Sequence, residues 1–267
     1  MKKIVILSAV MLSSYSFAHE PYVAPLAFIT DNTQIPIIAA YAEQALHAEY
    51  ALQDPQFTII QPDQKQATLQ PTTTLKSATI FDLPLPEKGT YTVFAKTSYP
   101  IQYVQHNKQW KILADATTDQ VPPLSERDYV IASDFKGKLP KKVDTVREWT
   151  LQTYISKQST STIAASSAPI QVNFSTHPNQ LIAQQAVQLQ IHKANKPLAQ
   201  AELMVRAQGA TEAQALNIPV QNNGSANITF PHAGNYLIEV SEKFDNKATP
   251  KNQYATIISV HVAQANS

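Results

Sequence analysis

Short β-rich runs, each ended by a turn-forming residue, dominate this chain of 267 residues. Val187, Leu189 and Ile191 alternate with polar neighbours, and residues 258–262 repeat the same two-residue period. Such a period places one set of side chains on one face of a strand. With 18 prolines along the chain, few runs exceed the length of a strand. The pattern predicts an all-β protein.

A Pro-x-x-Gly-x-Tyr motif occurs twice, ending at Tyr91 and at Tyr236, and a β-rich run follows each copy. In β-sandwiches, a tyrosine at such a corner returns its hydroxyl to the backbone upstream. The glycines, Gly89 and Gly234, would permit a positive φ at the turn. We interpret the repeat as one corner used in each of two immunoglobulin-like β-sandwiches in tandem. A chance repeat is the alternative, because only three residues of the motif are fixed.

The same patterns predict the domain limits. An N-terminal β-sandwich is expected over 19–158, and a Ser/Thr/Ala-rich linker over 159–168. A C-terminal immunoglobulin-like sandwich of about seven strands, one of them at 213–220, is expected over 169–267. Two domains of these lengths fit the common size range.

Residues 1–18 have the pattern of a cleaved signal peptide. Two lysines precede the apolar stretch 4–12, and small residues close the segment. Signal peptidase accepts small side chains just before the cut, so we expect cleavage after Ala18 and a mature chain that begins with His19. The apolar stretch is too short for a bilayer span, which needs roughly 20 residues.

Composition excludes several classes of protein. The chain has no cysteine, which excludes a lipid anchor, disulfides and thiolate metal sites. We therefore expect a periplasmic protein that is neither a lipoprotein nor inserted in a membrane. A net charge of +1 argues against nucleic acid as a partner. The sequence contains no phosphate-binding loop and no Gly-x-Ser-x-Gly, so we expect no enzymatic activity and no catalytic residue.

A histidine at the first position can chelate a metal ion through its own α-amine and imidazole, which both titrate near neutrality. The alternative is that His19 simply follows the cut. Glu43 and His47 would share a face if 42–50 were a short helix, although the segment can equally form an ordered loop. Glu49 is a possible carboxylate nearby. We predict His19, His47 and Glu43 as ligands of nickel, cobalt, copper or zinc, against the alternative of a solvated surface.

Other histidines are interpreted as turn residues. His106 lies at the predicted tip of a hairpin over 101–113. His177 follows the first strand of the second domain, where a loop position can carry function but a turn role is favoured.

Several short motifs, in this order along the chain, resemble the exported domain-of-unknown-function family 4198, which is similar to periplasmic accessory proteins of nickel and cobalt uptake. The resemblance is carried by Ala18-His19-Glu20-Pro21-Tyr22, Asp82-Leu83-Pro84-Leu85-Pro86-Glu87-Lys88-Gly89-Thr90-Tyr91, Thr176-His177-Pro178-Asn179-Gln180-Leu181, Lys196-Pro197-Leu198-Ala199 with Ala201 and Val205, and Phe230-Pro231-His232-Ala233-Gly234-Asn235-Tyr236. It implies two immunoglobulin-like domains and a periplasmic, non-enzymatic role in metal handling. It also strengthens the expectation that His19 is a ligand.

The predicted function is a periplasmic metal-binding accessory protein that assists uptake of a transition metal ion of the nickel/cobalt class, or of a metal complex. Its partner would be an envelope transporter or receptor protein. The alternative is a non-catalytic interaction module that docks on an envelope or outer-membrane receptor complex. An exposed apolar patch or a long unpaired edge strand would indicate that module. A copper oxygenase would need a second histidine facing His19, and the sequence identifies none.

Overall fold

The computed structural model describes residues 19–53 and 55–265, so the predicted signal peptide lies outside the described residues. The described chain is built of β-strands and short 3₁₀ turns and contains no α-helix. The strands are Glu20–Pro25 (β1), Ile29–Thr30 (β2), Gln34–Ala42 (β3), Tyr50–Ala51 (β4), Phe57–Ile60 (β5), Gln66–Leu69 (β6), Thr73–Thr74 (β7), Thr79–Pro84 (β8), Gly89–His106 (β9), Gln109–Ile112 (β10), Val143–Lys157 (β11), Ile170–Phe174 (β12), Leu181–Ile182 (β13), Ala186–Lys193 (β14), Lys196–Pro197 (β15), Ala201–Ala207 (β16), Leu216–Asn217 (β17), Ser225–Thr229 (β18), Gly234–Glu242 (β19) and Gln253–Ala263 (β20). The 3₁₀ turns are Thr118–Gln120, Leu124–Glu126, Ala132–Asp134, Pro178–Gln180 and Glu212–Gln214. None of these described turns has the length and hydropathy needed to cross a bilayer.

The strands form three sheets. The first has the order β1-β3-β8-β7, with β4 on β3. The central sheet has the order β17-β16-β19-β20-β11-β9-β5-β6, with β10 on β9, β13 on β20 and β2 on β11. The third has the order β12-β14-β15, with β18 on β14. The all-β fold class is therefore confirmed.

Alternate residues of the central strands enter two different hydrophobic cores. On β11, Leu151 belongs to a core shared with the first sheet, whereas Tyr154 belongs to a core shared with the third sheet. On β19, Leu237 belongs to the core shared with the first sheet, and Ile238 belongs to the core shared with the third sheet. Neighbouring residues of a strand point to opposite faces. Both faces of the central sheet are therefore covered here, one by each of the two outer sheets.

The two sandwiches are joined through one sheet. Strands β11 and β20 pair in parallel, from Arg147 opposite Gln253 to Thr153 opposite Ser259. A strand of the predicted first domain therefore lies directly beside a strand of the predicted second domain. The domain limits at 158 and 169 stay predictions.

Two local predictions differ from the structure. The strand predicted at 213–220 is replaced by the 3₁₀ turn Glu212–Gln214 and the two-residue β17, whose residues are exposed. The apolar residues that follow, Ile218 and Val220, pack against the core shared with the third sheet but lie outside any strand. In the 101–113 hairpin, the tip is Asn107-Lys108, where both residues have positive φ, and His106 is the last residue of β9.

Residues 101–144 and 246–250 form a compact unit of their own. Its small core centres on Ala114, Tyr129 and Ile131. Arg127 donates to the Asp134 carboxylate at 2.6 Å within this unit. The remaining described residues form the larger unit, which contains both sandwich cores.

The two tyrosine corners are present as predicted. The Tyr91 hydroxyl donates to the Glu87 carbonyl oxygen at 3.0 Å and accepts from the Glu87 N–H at 2.8 Å. The Tyr236 hydroxyl donates to the His232 carbonyl oxygen at 2.8 Å. Gly89 has φ of +122°, so a side chain there would be strained.

We expect Tyr91→Phe to lower the free energy of unfolding more than Tyr236→Phe does. The first change removes two hydrogen bonds, each worth roughly 0.5–1.5 kcal/mol. The second removes one donated bond, worth roughly 0.5–1.5 kcal/mol. Urea denaturation of both variants measures the difference, and an equal or reversed order would contradict the expectation.

Candidate metal centre

His19 immediately precedes β1, which pairs antiparallel with β3 so that Glu20 faces Ala42. This register places His19 beside the point where the chain leaves β3. The segment 43–49 that follows is therefore the nearest source of partners for His19.

Residues 43–49 form an ordered loop and not a helix, so the helical interpretation of 42–50 is wrong and the loop alternative holds. The chain must reverse here, because β4 returns to β3 with Tyr50 opposite Tyr41. Leu46 has φ of +64°, which a continuous helix does not permit. Glu43 and His47 consequently do not share a helix face.

His19 contacts a carboxylate of this loop. Its Nε2 lies 3.0 Å from Oε2 of Glu49, and Oε1 of Glu49 accepts the Glu43 N–H at 2.9 Å. The Tyr50 ring stands edge-on to the imidazole, with centroids 5.1 Å apart. Both members of the pair reach solvent, with side-chain exposures of 41% for His19 and 36% for Glu49. An incoming ion can therefore reach the imidazole.

The pKa of Glu49 is lowered, first by the Glu43 N–H and then by its hydrogen bond and charge interaction with His19. Each of these partners favours the ionised carboxylate. Glu49 therefore remains a carboxylate at neutral pH and can accept a hydrogen bond from the imidazole Nε2–H.

The other two predicted ligands lie in the same loop with different neighbours. His47 Nδ1 lies 3.0 Å from Oε1 of Gln44, and its ring lies over Gly209. Glu43 contributes its backbone N–H to Glu49. Within 19–53 and 55–265, no three His, Cys, Asp or Glu side chains cluster closely enough to hold a metal ion. His47 and Glu43 as ligands stay predictions.

Beneath this loop lies a buried charge that sequence reasoning missed. Arg206 of β16 is only 2% exposed, forms an ion pair with the Glu20 carboxylate and donates from Nη1 to the Glu43 carbonyl oxygen at 3.3 Å. The strand alternation places Leu203 and Val205 in the second core and Arg206 on the opposite face. In an isolated sandwich that face would be solvated, which is why the pattern gave no signal for this residue.

Sequence spacing also gives no indication of the contact between Glu49 and His19. Thirty positions separate the two residues, and no spacing rule relates them. The β1–β3 register brings them together.

His177 takes the turn role that was favoured. Its Nδ1 accepts the Asn179 N–H at 3.1 Å and caps the 3₁₀ turn, so Nε2 carries the ring proton and points at Thr90 Oγ1, 3.1 Å away. Burial lowers the pKa of His177, which favours this neutral form. A nitrogen that carries a proton cannot remove one from Thr90, so the pair is not a nucleophile with its base.

A cavity of about 300 Å³ lies beside this histidine. Its lining includes residues 163–166 of the predicted linker and the aromatic rings of Tyr154 and Phe174. The lining side chains form no metal-binding group within the described residues.

Comparisons with solved structures return domains of the fibronectin and adhesin kinds. The chain is similar to the FN1-FN3 domains of chicken CNTN1, at 12% identity and a TM-score of 0.27, covering 91% of this chain and 65% of that one. It is also similar to a two fibronectin type-III domain segment of chicken tenascin, at 10% identity and a TM-score of 0.22, covering 92% and 98%. The D0-D1 domain of intimin matches at 11% identity and a TM-score of 0.23, covering 90% and 97%. Superpositions of this quality say nothing about what the chain binds.

No curated protein matches the chain in sequence. The family model described as a domain of unknown function, DUF4198, matches residues 16–243, which is most of the chain. The resemblance carried by the short motifs is thereby confirmed: the chain belongs to the DUF4198 family.

Proposed function

We propose that the exported, processed protein binds a transition metal ion of the nickel/cobalt class through its first residue, and presents the ion to an uptake system of the envelope. The α-amine and the Nδ1 nitrogen of His19 would hold the ion, because both belong to one residue and close a chelate ring. Signal cleavage after Ala18 and a periplasmic location are parts of this proposal.

The observation that carries the proposal is the 3.0 Å contact between His19 Nε2 and Glu49. In protein metal sites, the imidazole nitrogen that does not bind the ion commonly donates to a carboxylate, which fixes the tautomer and raises the basicity of the other nitrogen. The Glu49 contact occupies Nε2 and leaves Nδ1 on the side of the α-amine. Nδ1 and the α-amine of His19 are therefore available to bind one ion together, while Glu49 orients the imidazole through Nε2.

Nitrogen donors of this kind suit nickel, cobalt, copper and zinc. Two nitrogens from one residue leave coordination positions for water, for the predicted ligand His47 or for a small chelator carried with the ion. An exposed, incomplete ligand set suits a protein that releases its ion to a partner.

The docking-module alternative has less support. The outermost strands of the central sheet are short: β6 has four residues and β17 has two. Short edge strands offer little backbone for an added strand.

The test is a nickel titration, by calorimetry, of protein purified from periplasm with its native first residue. We expect near-stoichiometric binding at pH 7.5, and a metal content near one ion by elemental analysis of the isolated protein. Protein that begins at His19 and takes up no nickel, cobalt, copper or zinc would overturn the proposed function.

Glu49→Ala should weaken nickel binding by about 10–100-fold, the usual effect of removing a carboxylate that orients a metal-binding histidine. Glu49→Gln should have a smaller effect, because its amide oxygen still accepts the proton of Nε2. Glu202→Ala, at an exposed glutamate of β16, is the matched control and should leave the affinity unchanged. An equal affinity of Glu49→Ala and the control would remove Glu49 from the site.

A further inference from the structure

We infer that Arg206 is a positioning residue for the His19 centre: it fixes, from the second sandwich, both chain segments that meet there. The nickel-binding measurements that test this inference rest on the proposed function. The hydrogen-exchange measurement rests only on the contacts that Arg206 forms. Arg206 bonds Glu20 and the Glu43 carbonyl oxygen, so it would act on His19 and Glu49 through their neighbours.

The first segment is the start of β1. The Arg206 guanidinium forms an ion pair with the carboxylate of Glu20, the residue directly after His19. The side chain of Glu20 is 15% exposed, so the pair lies largely out of water. A charge pair shielded from solvent is screened little by salt. This contact holds the backbone from which His19 projects.

The second segment is the loop 43–49. Arg206 Nη1 donates to the carbonyl oxygen of Glu43, whose own N–H is bonded to the Glu49 carboxylate. One guanidinium therefore reaches both sides of the His19–Glu49 pair. Arginine suits this task because its planar fork carries several donors in fixed directions, whereas lysine presents a single point charge.

The turn after Arg206 holds the same loop by its backbone. The Ala45 N–H donates to the Ala210 carbonyl oxygen at 2.9 Å, and the Gly209 N–H donates to the Ala45 carbonyl oxygen at 2.9 Å. Gly209 has φ of +81°, and an added Cβ would lie 3.3 Å from Cε1 of His47. The turn thus needs glycine both for its backbone and for its approach to the loop.

These contacts make the metal centre depend on both sandwiches. If Arg206 is removed, the start of β1 and the loop lose their common anchor, and His19 and Glu49 must find each other without it. A misplaced orienting carboxylate weakens a metal site even when every ligand is present.

The experiment compares nickel affinity in full-length processed Arg206→Met, Arg206→Lys and Arg147→Met. Arg147 is the matched control, because its guanidinium bonds the Gln253 side chain on the neighbouring strand β20. We expect Arg206→Met to weaken nickel binding by roughly 10-fold or more, with partial rescue in Arg206→Lys, and no change in Arg147→Met. The Cu²⁺ electron paramagnetic resonance spectrum should change in Arg206→Met alone, since a loss of stability without displacement of the site leaves that spectrum unaltered.

A second readout needs no metal. Hydrogen exchange of the Ala45 amide should accelerate in Arg206→Met relative to Arg147→Met. If wild-type protein binds no metal while exchange accelerates, the proposed function fails and the positioning role stands. If wild-type protein binds nickel and Arg206→Met leaves affinity, spectrum and exchange unchanged, the positioning role is overturned.

A separate variant covers the case in which Arg206→Met does not fold. Glu20→Gln removes the ion pair with Arg206 and keeps the guanidinium with its bond to the Glu43 carbonyl oxygen, so it should weaken nickel binding several-fold. Glu202→Gln is its control, because Glu202 is exposed on β16. Equal affinities in the two glutamate variants would overturn the inference.

Discussion

Adding five residues (Gly-Ser-Gly-Ser-Gly) before His19, which moves the new α-amine out of chelating range, should reduce nickel affinity on the order of 100-fold or more. The extension turns the α-amine into an amide, so the chelate loses one of its two nitrogens and with it the gain from intramolecular binding of the second donor. The Glu49 carboxylate and the imidazole remain, so any residual binding would be that of a lone histidine. Calorimetric titration of the extended and native proteins measures the difference.

A matched protein with the same five residues added after Ser267 should bind nickel as the native protein does. The pH dependence gives a second check, because binding requires both nitrogens to be unprotonated. Protons compete with the metal ion for both nitrogens, so affinity should fall steeply below about pH 6. Glu49 does not cause this fall, because its pKa is lowered and its carboxylate stays ionised. Undiminished binding by the chain extended before His19 would exclude the amine as a ligand.

Arg206→Met should lower the free energy of unfolding by about 3–5 kcal/mol, the usual effect of removing one partner from a buried ion pair. The Glu20 carboxylate would lose its ion-pair partner, and Glu239 would lose a favourable charge interaction. Glu239 is 8% exposed, and burial raises its pKa while the charge of Arg206 opposes that rise. Urea denaturation at pH 7 measures the loss.

A double variant separates the charge from the packing. In Arg206→Met with Glu239→Gln, one uncompensated carboxylate is replaced by a neutral group of similar shape, so part of the lost stability should return. Glu202→Gln in place of Glu239→Gln is the control, because Glu202 is exposed on the same strand as Arg206. A loss below about 1 kcal/mol for Arg206→Met would mean that water reaches the buried charges and screens them.

Local periodicity accounts for what sequence reasoning predicted correctly about the fold. Val187, Leu189 and Ile191 are buried in one core because a strand of any sheet alternates its side chains. The corners at Tyr91 and Tyr236 formed as predicted because each hydroxyl bonds a residue only four positions away. Such features depend on residues close in sequence.

Sequence patterns gave a wrong prediction, or none, where contacts between residues distant in sequence determine the structure. The segment 42–50 contains good helix formers, yet it is a loop because β3 and β4 must pair. Arg206 lies on the face of its strand that alternation assigns to solvent, and the first sandwich buries it there. The contact of His19 with Glu49 depends on the β1–β3 register.

The sequence by itself determined that this chain is all-β, that it repeats one tyrosine corner in two sandwiches, and that it belongs to the DUF4198 family. Only the tertiary structure decided that β11 and β20 join the sandwiches in one sheet and that Arg206 supports the segments around His19. The physical reason is that alternation fixes which side chains share a face of a strand, whereas long-range packing decides what covers that face.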